Sequence, residues 1–337
     1  MDITRLLPED TPMMDAFWEL YTDVFEHDQP GSPPAQRKSA EVDIANLRSD
    51  MRQEYHLAHV NQQLAGYVRL LFPLLDNKHF MYVNGCVRPE HRRRGVGSEL
   101  LELALRRGRS CGRVTIGAHT SEPLPGGPYR STSGRDFLRA KGFDLAHSMR
   151  DFSVDLENIK EKIEEDLVDE FLPHAWEYEL LSWSGPTPEE HLPAVTALAN
   201  RFVSEVPLGD LALEDKNIDV ERQRAAESLD AVRGRTNVSA YARHPASGEL
   251  VAHSVISVDD ESPEFAHQQV TLVHPEHRGH RLGTLVKIES HRLLRREFPG
   301  VRTLFTSVAE VNTHMLAINE RLGFVEVDRQ LDFQRTI

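Results

Sequence analysis

The sequence predicts an α/β (α+β) protein made of two consecutive domains of the same plan. Three observations carry this. The chain has 337 residues, more than one hydrophobic core usually serves. The stretch VRPEHRRRGVGSELLELAL (Val87 to Leu105) reads as the end of a strand, a glycine turn and an amphipathic helix with Leu100, Leu101, Ala104 and Leu105 on one face. That stretch then recurs as VHPEHRGHRLGTLVKI (Val273 to Ile288). Pro89-Glu90-His91-Arg92 matches Pro275-Glu276-His277-Arg278 at an offset of 186, and Lys141-Gly142-Phe143 matches Leu322-Gly323-Phe324 at an offset of 181. Two landmarks in the same order at nearly the same spacing mark a duplication the size of a domain.

In the first half, Ile3 to Leu7 is a short strand, and Met14, Phe17, Tyr21, Val24 and Phe25 recur at helical spacing. The turn-rich QPGSPPAQ follows, then a helix from Ala40 to Met51. Tyr55 to Val60 and Leu64 to Phe72 read as a hairpin. Phe80 to Val87 is the strand before the turn, and Arg113 to Ala118 the strand after the helix. A helix from Gly134 to Lys141 and a strand from Phe143 to Val154 close the half. In the middle, Ile159, Ile163, Leu167 and Phe171 make an apolar stripe on an otherwise charged linker helix. The expected division is residues 1–156, a linker 157–177, and residues 178–337.

The second half repeats the order. A strand spans Tyr178 to Ser182, and Thr187-Pro188-Glu189-Glu190 reads as a capping box opening a helix with Leu192, Val195, Leu198, Ala199 and Phe202 inward. After the segment from Val206 comes a helix from Val220 to Val232. Strands follow at Asn237–Ala242, Leu250–Val258 and Gln268–Val273, then the turn and its helix. Arg302–Val308 is a strand, Asn312–Leu322 a helix and Phe324–Phe333 the last strand.

Composition bounds the function. The chain is 39% apolar and 27% charged, as ordinary globular proteins are, and its net charge of −14 argues against nucleic acid as the main partner. Only two cysteines, Cys86 and Cys111, imply no disulfide framework and a reducing, cytoplasmic setting. MDITRLLPED has no signal-peptide core, and the apolar run Leu70–Leu75 is broken by Pro73, so no membrane partner is expected. The spacings offer no metal site.

Chemically, a strand–turn–helix aims free backbone N–H groups and the positive end of a helix dipole at one place. Glycines let a bulky anion approach. Arg92, Arg93 and Arg94 oppose the dipole of the helix they precede, which suggests that they face a negative group such as a pyrophosphate.

With these residues in view, each half resembles the GNAT acyltransferase superfamily. Its acetyl-CoA signature is Arg or Gln, two residues, Gly, one residue, then Gly or Ala, and Arg92, Gly95 and Gly97 match it. The tandem plan is similar to that of mycothiol synthase. The resemblance implies a mixed, mostly antiparallel sheet splayed between its fourth and fifth strands, and acetyl-CoA as acyl donor. It places the donor against Cys86, Val87, Arg92, Arg93, Arg94, Gly95, Val96, Gly97 and Ser98 in the first half. In the second it implies Leu272, Val273, Arg278, Gly279, His280, Arg281, Leu282, Gly283 and Thr284, together with Asn312, where family members often carry an Asn facing the donor. Arg281 stands where the first copy has Gly95, so that turn is expected to be less open, and the donor is expected in the first half.

The family's usual general acid, a Tyr on the late helix, falls at Leu138 in the first half and Asn319 in the second; neither is Tyr. Tyr129 is a candidate substitute, and Asn319 a group able to hold a water or the thioester. Base candidates are His79, Tyr82 and Glu90 in the first half and Glu264, His267 and His274 in the second. Glu26, Asp28, Asp210, Glu214, Asp215 and Asp219 fall between the first two helices of each half, where the resemblance implies the acceptor side; acidic groups there would attract a cationic amine. The implied activity is N-acetylation of a primary amine on a small molecule, an amino metabolite or an amine-containing antibiotic, by a monomer or homodimer. The other reading is a protein that binds CoA as a sensor with little turnover.

Overall fold

A computed structural model of the chain describes residues 1–157, 159, 161–200 and 207–337. Phe202 and Val206 lie outside the described residues. The chain forms two compact units, and neither is continuous in sequence. Unit 1 comprises Met1–Ser148, Leu208–Glu214 and Asp328–Ile337; unit 2 comprises Met149–Pro207 and Asp215–Val327.

Unit 1 holds β1 (Asp2–Arg5), β2 (Met51–Val60), β3 (Gln63–Pro73), β4 (Phe80–Val87), β5 (Thr115–Glu122) and most of β12 (Val325–Thr336), adjacent in that order. All neighbours are antiparallel except β4 and β5. Helix α1 (Thr11–Asp28) covers one face, burying Met14, Phe17, Leu20 and Val24 against Tyr55, Leu57 and Tyr67. Asp10 caps it by accepting from the Met13 N–H. Burial of about 1.5–3 kcal/mol per large side chain outweighs the weak helix bias of this aromatic-rich segment. Helices α3 (Val96–Ser110) and α4 (Ser133–Ala140) cover the other face, with Leu100, Leu101, Ala104, Leu105 and Leu138 on the sheet. Helix α2 (Arg37–Ile44) ends earlier than its sequence periodicity suggests, because Asn46 turns left-handed (φ 53°) and bonds the backbone of Gln53 with both ends of its carboxamide.

Unit 2 repeats the pattern in part of β6 (Asp144–Asp155), then β11 (Thr303–Ala309), β10 (Phe265–Val273), β9 (Leu250–Asp259), β8 (Arg235–Arg243) and β7 (Glu179–Ser184). Here β10 and β11 are the parallel pair. Its helices, among the described residues, are α5 (Glu161–Phe171), α6 (Leu192–Ala199), α7 (Val220–Val232), α8 (Leu282–Glu297) and α9 (Thr313–Arg321), with α8 the most deeply buried. The capping box expected at Thr187 does not form. The Thr187 N–H donates to Glu227, a short 3-10 turn spans Glu189–His191, and α6 starts at Leu192.

The strand closing each half in sequence completes the sheet of the other unit. Met149–Asp155 of β6 pair antiparallel with β11, and Arg329–Thr336 of β12 pair antiparallel with β5. The contiguous division at residues 156 and 178 therefore cuts across the compact units. Either closing strand would satisfy the same backbone donors and acceptors, so periodicity in sequence cannot say which one does.

Candidate active site

Each parallel pair is short. The β4–β5 ladder runs from Phe80↔Thr115 to Tyr82↔Gly117, after which both strands continue without pairing to each other. The β10–β11 ladder stops likewise at Gln268↔Thr306. Each unit thus carries a fork beside its turn.

The turns share one backbone. In the first, Arg93 and Gly95 have left-handed φ of 60° and 91°; in the second, Gly279 and Arg281 have 89° and 59°. Glycine and arginine have exchanged places between the two left-handed positions. Arg281 therefore does not close its turn: it adopts the conformation expected of Gly95, at a cost of roughly 1–2 kcal/mol. The side chains differ more. Arg93 and Arg94 are exposed and make no ion pair with the described residues. Arg281 lies over the Phe171 ring at 5.4 Å, with Arg321 over the same ring at 5.0 Å. His280 Nδ1 donates to the His174 carbonyl at 3.1 Å. The first helical N–H to find an acceptor in turn 1 is that of Glu99, onto Gly95. In turn 2, Thr284 already donates to Arg281. Turn 1 thus leaves the N–H groups of Val96, Gly97 and Ser98 without an acceptor among the described residues, beside two guanidinium groups in no ion pair.

Several expected site residues are engaged elsewhere. Arg92 makes a bidentate pair with Asp28 (3.0 and 2.7 Å) and donates to the Val87 carbonyl, so it clamps the end of α1 to the turn and pairs the Asp28 charge. Burial pushes the Cys86 thiol well above its ordinary pKa, as suits a packed strand residue. A Cβ at Gly97 would sit 3.4 Å from the Phe137 ring, an ordinary contact. Gly283 would meet Val273 at the same distance. Asn312 caps α9 by accepting from the Met315 N–H at 3.2 Å. Asp219 caps α7 in the same way through Arg222. Asn319 is fully buried and accepts from Lys287 Nζ at 2.5 Å. Glu90 is exposed on the 3-10 turn Pro89–His91, and Tyr129 is exposed in the loop before α4. His274 accepts from the Glu276 N–H, and His267 stacks on Phe305 at 5.5 Å.

Tyr82 sits at the fork of unit 1. Gly117, its partner on β5, lies under the Phe80 and Tyr82 rings: a Cβ there would come within 2.5 Å of Phe80 and 3.6 Å of Tyr82. Two residues along β5, on the same face, is His119, and Asp332 of β12 faces it across the ladder. Gln330 donates to Asp332 at 3.0 Å. His119 remains open to solvent, yet desolvation by the surrounding protein holds its pKa below the ordinary value, with Asp332 pulling it upward and Arg69 downward. Burial, with help from the Asp332 charge, pushes the Tyr82 phenol up to about 12. Sequence reading missed His119 because its partner Asp332 lies at the far end of the chain. The signal available was an isolated histidine two residues past the end of a parallel pairing. In unit 2 the corresponding cross-strand pair is Ser307 and Asp151, joined by a 2.5 Å hydrogen bond, with no imidazole.

Among the described residues, no group of His, Cys, Asp and Glu converges as a metal site, and no helix is long and apolar enough to cross a membrane. The sequence profile of the acetyltransferase (GNAT) family matches residues 13–124 and 208–324, more than half of the chain and once in each half. The chain belongs to that family, with two such domains in tandem, and is an acetyltransferase using acetyl-CoA as acyl donor. It is similar to a tandem GNAT protein from the clavulanic acid biosynthesis pathway, solved without acetyl-CoA, at 26% identity and TM-score 0.82, covering 99% of this chain and 98% of that one. A GCN5-related N-acetyltransferase from Sphaerobacter thermophilus shares the fold at 16% identity and TM-score 0.66, covering 99% and 95%. So does a GCN5-related glucosamine N-acetyltransferase region of a fungal multi-domain β-N-acetylglucosaminidase, at 17% identity and TM-score 0.67, covering 98% of this chain and 38% of that one. No curated protein gives a sequence match.

Proposed function

We propose that the chain transfers the acetyl group of acetyl-CoA to a primary amine of a small molecule, and that the reaction runs at the fork of unit 1. The pairing of His119 with Asp332 on the open face of that fork carries the reading. An amine attacks a thioester only when neutral. His119, kept neutral near pH 7 by desolvation, takes the amine proton, and Asp332 holds the imidazolium that results. The amine nitrogen bonds to the acetyl carbon, the carbon–sulfur bond breaks, and the thiolate needs a proton. In this reading Tyr82, protonated at neutral pH and on the same face, supplies it. The N–H groups opening α3, with Arg93 and Arg94, hold the diphosphate of the donor.

The test is thiol release from acetyl-CoA by the purified chain across a panel of small amines. Release that depends on the amine supports the proposal. Acetyl-CoA binding without release for any amine supports the sensor reading instead.

A further inference from the structure

The segment Leu208–Glu214 comes from the second half of the sequence yet belongs to unit 1. It is neither helix nor strand, and it lies across unit 1 as a strap held by six hydrogen bonds. The Asp210 N–H donates to the Ala146 carbonyl (2.8 Å), and Gln334 Nε2 donates to the Asp210 carbonyl (2.6 Å). The Ala212 N–H donates to Gln334 Oε1 (3.0 Å), and His79 Nε2 donates to the Ala212 carbonyl (2.8 Å). Asn77 closes the far end, donating to the Glu214 carbonyl (3.0 Å) and accepting from its N–H (2.6 Å). At the near end Gly209 has a left-handed φ of 58°, and a Cβ there would sit 2.3 Å from the Ala146 carbonyl oxygen, so only glycine permits this approach. An exposed connection ordinarily leaves its backbone to water; this one is fixed by side chains of the domain it crosses.

Its anchor places it at the site. Gln334 pairs with Gly117, the last rung before the fork, and shares a face with Asp332 two residues earlier on β12. That separation is about 7 Å at a rise of roughly 3.4 Å per residue. Asp210, bonded through both its N–H and its carbonyl, is exposed, and its carboxylate makes no hydrogen bond or ion pair with the described residues. Asp215, next to the strap in sequence, falls in unit 2.

We infer that this strap is the wall of the acceptor site of unit 1, and that Asp210 selects acceptors carrying a second, cationic group several bonds from the reacting amine. The inference rests on the proposed acetyl transfer at the fork. Under it, the segment Leu208–Glu214 of the second half dictates which acceptor the catalytic face of unit 1 will take.

The experiment compares 1,5-diaminopentane with 1-aminopentane as acceptors for the full chain. The wild type should prefer the diamine. Asp210→Asn should cut kcat/KM for the diamine by roughly tenfold, through KM, while leaving the monoamine and the KM for acetyl-CoA unchanged; added salt should shrink the difference. A wild type without diamine preference overturns the inference. So does a variant that keeps the preference or loses both amines equally. If the wild type acetylates neither these nor any other amine, it is the proposed function that has failed, and this inference falls with it.

Discussion

His119 on β5 and Asp332 on β12 face each other across an antiparallel ladder, with Tyr82 electrostatically coupled to the same carboxylate. Residues 213 positions apart in the sequence thus meet on one face of one sheet.

That pairing predicts a pH profile. Desolvation disfavours the imidazolium, so the acid limb of kcat/KM should lie below the usual histidine value of about 6.5. Asp332 raises the pKa, so Asp332→Asn should move the limb further toward acid and lower the plateau. His119→Ala should cost roughly 10²–10⁴ in kcat/KM while acetyl-CoA binding stays normal. An unmoved limb in Asp332→Asn would remove His119 from the role of base.

Donor capture should separate the two turns. Arg93→Glu with Arg94→Glu should weaken acetyl-CoA binding by roughly tenfold or more in calorimetric titration, since charge-assisted contacts to a phosphate are lost. Arg281→Glu, whose arginine rests on Phe171, should change it far less. The reverse ranking would move the donor to unit 2.

Strand exchange predicts that residues 1–156 made alone will be unstable or aggregate. They lack Arg329–Thr336, which pair the outer edge of β5, and they lack Asp332. Co-expression with residues 157–337 should return a soluble complex with activity. A monomeric, active 1–156 fragment would contradict the exchange.

Unit 2 carries a cost that substitution should relieve. Lys287 is 1% exposed, and burial pulls its pKa down to about 7. Unfolding restores an ordinary lysine near 10.5, so the destabilisation is complete below pH 7 and disappears only as pH rises past 10.5. Lys287→Met with Asn319→Leu removes the buried amine together with the group bonded to it, and should stabilise the chain by a few kcal/mol near pH 7, read as a higher Tm. The gain should narrow at high pH. Lys287→Met alone should do worse, because it leaves the Asn319 oxygen buried without a donor.

Much of this was legible in the chain. Pro89-Glu90-His91-Arg92 and its copy at Pro275 marked the duplication, and the apolar faces of α1, α3 and α8 marked the elements, because burial of periodic side chains is a local demand that sequence records directly. The family followed from Arg92, Gly95 and Gly97, although Arg92 turned out to grip Asp28. What only the tertiary structure decided was partnership. Arg281 adopts the left-handed backbone that a glycine was expected to supply, Asn319 meets Lys287 in the core, and β12 rather than β6 closes the sheet that holds Tyr82 and His119. Backbone hydrogen bonds are alike for any strand of suitable length, so the choice between two closing strands rests on how the whole chain packs, and with it the identity of the carboxylate that reaches the candidate base.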